Sequence, residues 1–252
     1  MDFSDPGQRG VFFDVHSHLP REGPGDKPST LKALALVKPL PDRPKILDIA
    51  CGPGMQTLHL AELLPDANIL GIDLHQPMTI EANRRIKAAG YESRVKVEVG
   101  DMTRIKYPDC SFDLIWCEGA AYNMGIEQAL VEWKRLLKPG GKIALTEAVW
   151  LKTDPPGALV DFWRAYPDMS DIENRREIFR SCGYSLLGDF VLPENAWWDD
   201  YYGPMQSRLE LLADKYMGNA NATPVLDYCQ LEIDLFARYA DYYGYAFLIG
   251  QA

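Results

Sequence analysis

The stretch Lys45-Ile46-Leu47-Asp48-Ile49-Ala50-Cys51-Gly52-Pro53-Gly54 constrains this chain more than any other. A short apolar run reaches a carboxylate and then breaks into a glycine-rich turn. Met55-Gln56-Thr57-Leu58-His59-Leu60-Ala61 continues as the start of a helix. Strand, glycine turn and helix together let a ligand approach bare backbone and a helix N-terminus. A second run, Ile69-Leu70-Gly71-Ile72-Asp73, also ends in an acid. An acid at that strand tip is placed to accept hydrogen bonds from ribose hydroxyls.

Further strand-like runs follow at 95–99, 113–117 and 142–149, alternating with helical segments. That alternation predicts βαβ units and a parallel sheet covered on both faces. Right-handed crossovers make it doubly wound, with a switch point between strands 1 and 4, where ligands bind outside the C-terminal strand ends. Cys51–Gly54, Asp73, Asp101 and Glu118 all fall there. After residue 151 the pattern predicts a helix over 171–182, a strand over 185–192, two helices near 198–217 and 224–241, and a last strand over 245–249. A structured insertion of that length between two strands reads as a cap on the substrate side or as a helical pad on the sheet.

Residues 1–30 are rich in Gly, Pro, Asp and Ser, and 21–28 cannot be a helix interior. We expect an N-terminal lid here, removable without unfolding the rest, over a single domain spanning 31–252 with a helical cap at 194–242. His16 and His18 are the histidines nearest such a lid, and a near-neutral histidine is the usual base for a hydroxyl acceptor. His18 is the expected base, against the plainer reading of a surface histidine. Arg21 suits either pairing with a ligand carboxylate or simple solvation.

Several motifs in this order resemble those of class I S-adenosylmethionine (SAM) dependent methyltransferases, most strongly over residues 45–147. Asp48-Ile49-Ala50-Cys51-Gly52-Pro53-Gly54 resembles that family's D-x-G-C-G-x-G, with Ala50 in place of the first glycine. Gly100-Asp101-Met102 closes the third strand, Trp116-Cys117-Glu118-Gly119 the fourth, and Leu137-Lys138-Pro139-Gly140-Gly141 enters the fifth. The chain is similar to small-molecule methyltransferases of the quinone-biosynthesis type and to a group of bacterial methyltransferases. The resemblance implies a Rossmann-like seven-stranded sheet of order 3-2-1-4-5-7-6, with strand 7 antiparallel and the helical insertion between strands 6 and 7.

It also implies SAM as cofactor, S-adenosylhomocysteine as its product, and in-line methyl transfer to a small molecule. The cofactor site would comprise Asp48, Ala50, Cys51, Gly52, Gly54, Gln56, Thr57, Asp73, Leu74, Gly100, Asp101, Met102, Glu118 and Gly119. Asp73 would hold the ribose and Asp101 the adenine amino group, with Met102 against the ring. Asp48 would orient the turn or cap the helix, and Glu118 would act more through its backbone than its carboxylate. Tyr122 would face the methyl beside the expected base. Arg21, Asn123, Glu147, Trp150, Trp197 and Tyr201 are the expected substrate-side residues. The aromatic stretch Trp197-Trp198-Asp199-Asp200-Tyr201-Tyr202 suits a pocket wall for a cation or a flat ring, or the core of the cap.

The remaining features bear on which classes of function fit. Thr57 stands where a dinucleotide dehydrogenase wants a third small residue, which weakens an NAD oxidoreductase reading. An aminopropyl transferase, or a SAM-binding protein without turnover, would also be compatible with the glycine turn and the strand-tip acids. A net charge of −10 without a basic run argues against nucleic acid. Five dispersed cysteines without a C-x-x-C pair predict neither metal site nor disulfides. No apolar run suits a membrane span, so cytoplasm is the expected compartment. Oligomeric state, monomer or homodimer, is left open.

Overall fold

The computed structural model describes residues 1–252. Five parallel strands form its centre: β1 (Lys45–Ile49), β2 (Asn68–Asp73), β3 (Val95–Val99), β4 (Phe112–Glu118) and β5 (Leu137–Trp150). A two-residue strand, β6 (Ser170–Asp171), pairs with the end of β5 and was not expected. β7 (Ser185–Val191) and β8 (Tyr243–Gln251) complete the sheet. Its order is β3-β2-β1-β4-β5-β8-β7, with β8 antiparallel to both neighbours. This is the expected topology, the labels 8 and 7 replacing 7 and 6 because β6 takes a number.

β5 starts at Leu137, earlier than expected. Phe112 pairs with Leu137 across a register shift before Leu114 pairs with Lys142. The Pro139-Gly140-Gly141 turn is therefore an irregularity inside the strand pairing, with Gly140 in the left-handed region at φ +72°. β8 runs between two neighbours, and all of it but Gln251 is buried. Its nearly continuous apolar run reflects burial on both faces.

Alternate residues of each strand serve opposite faces. Ile46, Leu114, Trp116 and Ala144 join one core cluster, while Leu47, Ile115, Cys117 and Leu145 join the other. Helices α1 (Pro6–His16), α2 (Lys27–Val37), α3 (Met55–Leu63) and α4 (Gln76–Ala88) all pack into the first cluster. Helices α5 (Ile126–Lys134) and α7 (Ile172–Ser181) cover the second, and a short α6 (Gly157–Phe162) follows β5. Between β7 and β8 the chain forms α8 (Asn195–Trp197), a π-helical turn (Trp198–Tyr202), α9 (Gly203–Lys215) and α10 (Thr223–Tyr239). The expected cap insertion is thus helical, and it packs its apolar faces into the first cluster.

The N-terminal segment differs from a loose lid. The Asp5 side chain caps α1 by accepting from Gln8 N at 2.9 Å, and Pro6 opens the helix. Val11 and Val15 are buried. Asp14 accepts from Arg208 Nη2 at 2.7 Å, Lys215 Nζ at 2.5 Å and Tyr216 OH at 2.9 Å, fastening α1 to α9 and the residue after it. The stretch between α1 and α2 lacks regular structure, as its Pro and Gly content predicts, as do residues 1–5 before α1. No helix is long and apolar enough to cross a membrane.

Candidate active site

The glycine turn lies at the C-terminal end of β1. Ala50 and Gly52 both take left-handed backbone, φ +54° and +53°. Gly52 N donates to Asp73 Oδ2 at 2.9 Å, and His75 N donates to Asp73 Oδ1 at 2.8 Å. These bonds fix the carboxylate at the tip of β2, and each oxygen keeps a lone pair for a further donor. Gln56 Nε2 donates to Cys51 O at 3.1 Å and fixes the other side of the turn.

Three expected cofactor residues act one layer below. Thr57 Oγ1 donates to Asp48 Oδ2 at 2.5 Å, tying β1 to α3. Burial pushes the Asp48 carboxyl up to about 8, with Thr57 and Gln56 pulling against it. Gly54, at φ +85°, caps α3, and a Cβ there would meet Ala82 Cβ at 2.9 Å. It serves helix packing, and neither it, Asp48 nor Thr57 lines the cavity in front of the turn.

That cavity has a volume of about 270 Å³. Ala50, Cys51, Gly52, Gln56, Asp73, Glu118 and Gly119 line it, joined by Arg21 and His75. The Phe13 ring of α1 stacks on His75 at 4.2 Å and closes one side. Arg21 and Glu118 form an ion pair whose side chains are each 3% exposed. Glu118 also accepts from Trp116 Nε1 at 2.7 Å, while Arg21 Nε donates to Gly23 O at 3.3 Å. Arg21 Nη1 is buried with no partner. Gly25 (φ +155°) packs so close that a Cβ would have no room beside the pair. Glu118 was expected to act more through its backbone than its carboxylate; the carboxylate anchors an arginine. Solvation of Arg21 is corrected too.

Gly100 and Asp101 line a neighbouring cavity beyond β3, not the one holding Asp73. The Asp101 carboxylate accepts from Thr103 N at 2.8 Å and Thr103 Oγ1 at 2.7 Å, which holds it below its ordinary value. Leu74 is 72% exposed, and neither it nor Met102 lines the first cavity. Met102 instead packs toward the second core cluster and accepts from Trp133 Nε1 through its carbonyl at 3.0 Å.

A second cavity of about 470 Å³ opens from the first. Phe12, His16, Glu22, Gly119, Tyr122 and Asn123 belong to both walls and so mark the junction. Gly119 takes φ +64°, and a Cβ would meet the Tyr245 ring at 2.9 Å. The second cavity is floored by the cap: Trp197 stacks on Phe236 at 4.2 Å, and Tyr201 OH donates to Glu232 Oε1 at 3.3 Å. Trp197 and Tyr201 both line this cavity.

The expected base does not. His18 is exposed at φ +70°, past the end of α1, and lines neither cavity. His16, 5% exposed, stands at the junction in its stead. Its Nδ1 lies 2.9 Å from Glu22 Oε2, and its Nε2 is buried without a partner. Two substrate-side expectations also fail. Trp150 packs against the first core cluster outside both cavities. Glu147 is fully buried beneath the second cavity, accepting from Tyr166 OH at 2.5 Å. Burial pushes its carboxyl up to about 7, opposed by Tyr166 and Arg175. Asn123 lines both walls, and its Nδ2 donates to Ala120 O at 3.0 Å.

The β-α-β frame, the glycine turn and the acid at the tip of β2 give this chain the fold of class I S-adenosylmethionine-dependent methyltransferases. Residues 46–141 match the family described as Methyltransferase domain. Over 105 residues the chain is 35% identical to demethylmenaquinone methyltransferase of Symbiobacterium thermophilum, a match covering 41% of this chain and 42% of that protein. The chain therefore spans less than half the length of that relative. A SAM-dependent methyltransferase of Thiobacillus denitrificans, solved with S-adenosyl-L-homocysteine, shares the fold at TM-score 0.81 and 22% identity, over 96% of this chain and 98% of that one. So does the [4+2]-cyclase SpnF, at TM-score 0.76 and 21% identity over 97% and 92% of the two chains.

Proposed function

We propose that this protein transfers a methyl group from SAM to a small molecule, with the donor in the first cavity and the acceptor in the second. The observation that carries the reading is Arg21 Nη1, a buried guanidinium donor without a partner in the cavity that also presents Asp73. A buried donor left unpaired costs about 1–3 kcal/mol, so its position argues for a ligand acceptor. The amino acid carboxylate of SAM fits it, and the ribose diol fits the free lone pairs of Asp73. When bound, SAM supplies an electrophilic methyl carbon on a sulfonium.

The chain's own residues would do the rest. Gly52 leaves the turn open to the ligand, and Gly119 admits Tyr245 to the junction. The aromatic walls exclude water, which favours a displacement that must stay dry. Tyr122 is a wall of both cavities and would position the acceptor. His16 Nε2 would take the acceptor's proton, with Glu22 holding the ring through Nδ1. Holding the two reactants collinear can contribute about 7–11 kcal/mol.

The net charge of −10 supports a small acceptor over a nucleic acid. The five cysteines, all free, fit a reducing cytoplasm. Residues 17–26, which have no regular structure between α1 and α2, would serve as the closing segment. Calorimetry with S-adenosylhomocysteine and NAD tests the donor, with micromolar binding expected for the first only. A labelled-methyl transfer assay on small-molecule extracts then tests turnover. Because a [4+2]-cyclase shares the fold, a protein that binds the donor product but transfers no label would be a binder using the scaffold otherwise.

A further inference from the structure

The second cavity holds an acid with no lysine or arginine to meet it, His16 being the one basic side chain in the same wall. Glu232 of α10 accepts from Tyr202 OH at 3.1 Å and Tyr201 OH at 3.3 Å, both at Oε1. It forms no ion pair. The nineteen residues lining the cavity include no lysine or arginine, and aromatic rings make up much of its wall. The other ionisable residues in the wall are His16 and Glu22, bonded to one another, and the tyrosines.

Charge and aromatic surface point the same way. A carboxylate removed from water is costly unless a positive group meets it. Both observed hydrogen bonds use one oxygen, so Oε2 is left for that group. Ring faces attract cations as well, and more strongly where water is excluded. A phosphate or carboxylate would find two acids and no fixed cation here. We infer that the second cavity is a receptor for an organic ammonium ion, and that the acceptor is an apolar or aromatic amine bound there as its ammonium by Glu232 and the surrounding rings; one N–H proton would pass to His16 Nε2, and the freed nitrogen lone pair would take the methyl carbon as its bond to sulfur breaks and S-adenosylhomocysteine leaves. Naming the bound amine as the acceptor rests on the methyl-transfer reading; the cation preference of the cavity does not.

The test uses the full chain, alone and saturated with S-adenosylhomocysteine, titrated by calorimetry with three probes of one shape. These are 2-phenylethylammonium, the neutral 2-phenylethanol and the anionic 3-phenylpropionate. The ammonium should bind about tenfold or more tighter than the alcohol, and the anion more weakly still. Glu232→Gln keeps an oxygen for Tyr201 and Tyr202 and should cut the ammonium preference to about threefold or less. Equal affinity for ammonium and alcohol, no ammonium binding at millimolar concentration, or an unchanged preference in the variant would overturn the inference. The wild-type probe series decides even if the variant fails to fold. S-adenosylhomocysteine binding is read separately. Ammonium selectivity without it would remove the methyl-donor reading and leave the cation site, and the reverse result would do the opposite.

Discussion

Replacing Arg21 with methionine separates two roles that one guanidinium performs. Its ion pair with Glu118 is 3% exposed on both sides, so the loss leaves a carboxylate buried with only the Trp116 indole N–H as donor. Removing one partner of a buried pair costs about 3–5 kcal/mol. For a chain of 252 residues, about 2–4 °C of Tm per kcal/mol converts this to a drop of about 6–20 °C. On the proposed donor placement, losing Nη1 also removes a charge-assisted contact to the donor carboxylate, worth about 1.5–3 kcal/mol, or about a 10–150-fold weaker Kd. Adding Glu118→Gln removes the stranded charge and leaves an oxygen for Trp116. The double variant should therefore regain most of the Tm and none of the affinity for S-adenosylhomocysteine. Melting curves and calorimetry on the wild type, both single variants and the double variant complete the cycle. A single variant that melts within about 2 °C of wild type, less than the smallest drop expected, and binds S-adenosylhomocysteine equally would refute both roles.

Other perturbations have equally definite outcomes. Asp73→Asn keeps the shape but not the charge that Gly52 N–H and the ribose share, so calorimetry should read about 1.5–3 kcal/mol less binding to S-adenosylhomocysteine; unchanged affinity would remove the ribose assignment. Gly52→Val places a branched side chain at φ +53°, with its Cβ 3.2 Å from Glu22 Cγ, and should abolish donor binding while normal binding by a folded variant would move the donor elsewhere. Glu147 is held above its ordinary value of 4.5, near 7, so its contribution is complete below pH 4.5 and fades as pH rises toward 7. Glu147→Gln should flatten that part of the stability-versus-pH curve, as read by urea melts, and an unaltered slope would contradict the burial argument. Proteolysis near Arg21 should slow when S-adenosylhomocysteine saturates the protein, since cleavage requires a buried residue to open; equal rates would count against closure of residues 17–26 over the donor.

The sequence carried the sheet because its signals are local. Strands β1 to β4 are short runs that end at a glycine turn or an acid, and period-two burial then assigns faces, as Ile46 and Leu47 show. Asp73 was placed for the same reason: its position at a strand tip brings its carboxylate to the first cavity. Asp101 also sits at a strand tip, yet its carboxylate turns to Thr103, a local bond that strand position does not predict. Pairs formed across the fold left no local mark. Arg21 and Glu118 are 97 residues apart, and only folding brings them together. Glu232 did leave one: it lies three residues after Cys229 and four before Phe236, an acid on the apolar stripe of α10. Such a residue must find partners in the fold or in a ligand.

The N-terminus shows how tertiary contacts override local preference. Gly7 and Gly10 lower the helical propensity of the first residues, by about 1 kcal/mol each relative to alanine. Composition alone therefore reads as a flexible lid. Against that stand the Asp5 cap, Pro6 at the first turn, burial of Val11 and Val15, and the bonds from Asp14 to Arg208, Lys215 and Tyr216. An isolated helix of eleven residues is marginal in water, so these contacts are what form it. The same helix decides which histidine reaches the junction. His16 is its last residue and faces inward, whereas the chain has already left the helix at His18 and turned outward. Deleting residues 1–28 would remove His16, Arg21 and two buried valines together. The segment is thus part of the site's wall and of the core, and its removal should lower stability as well as turnover.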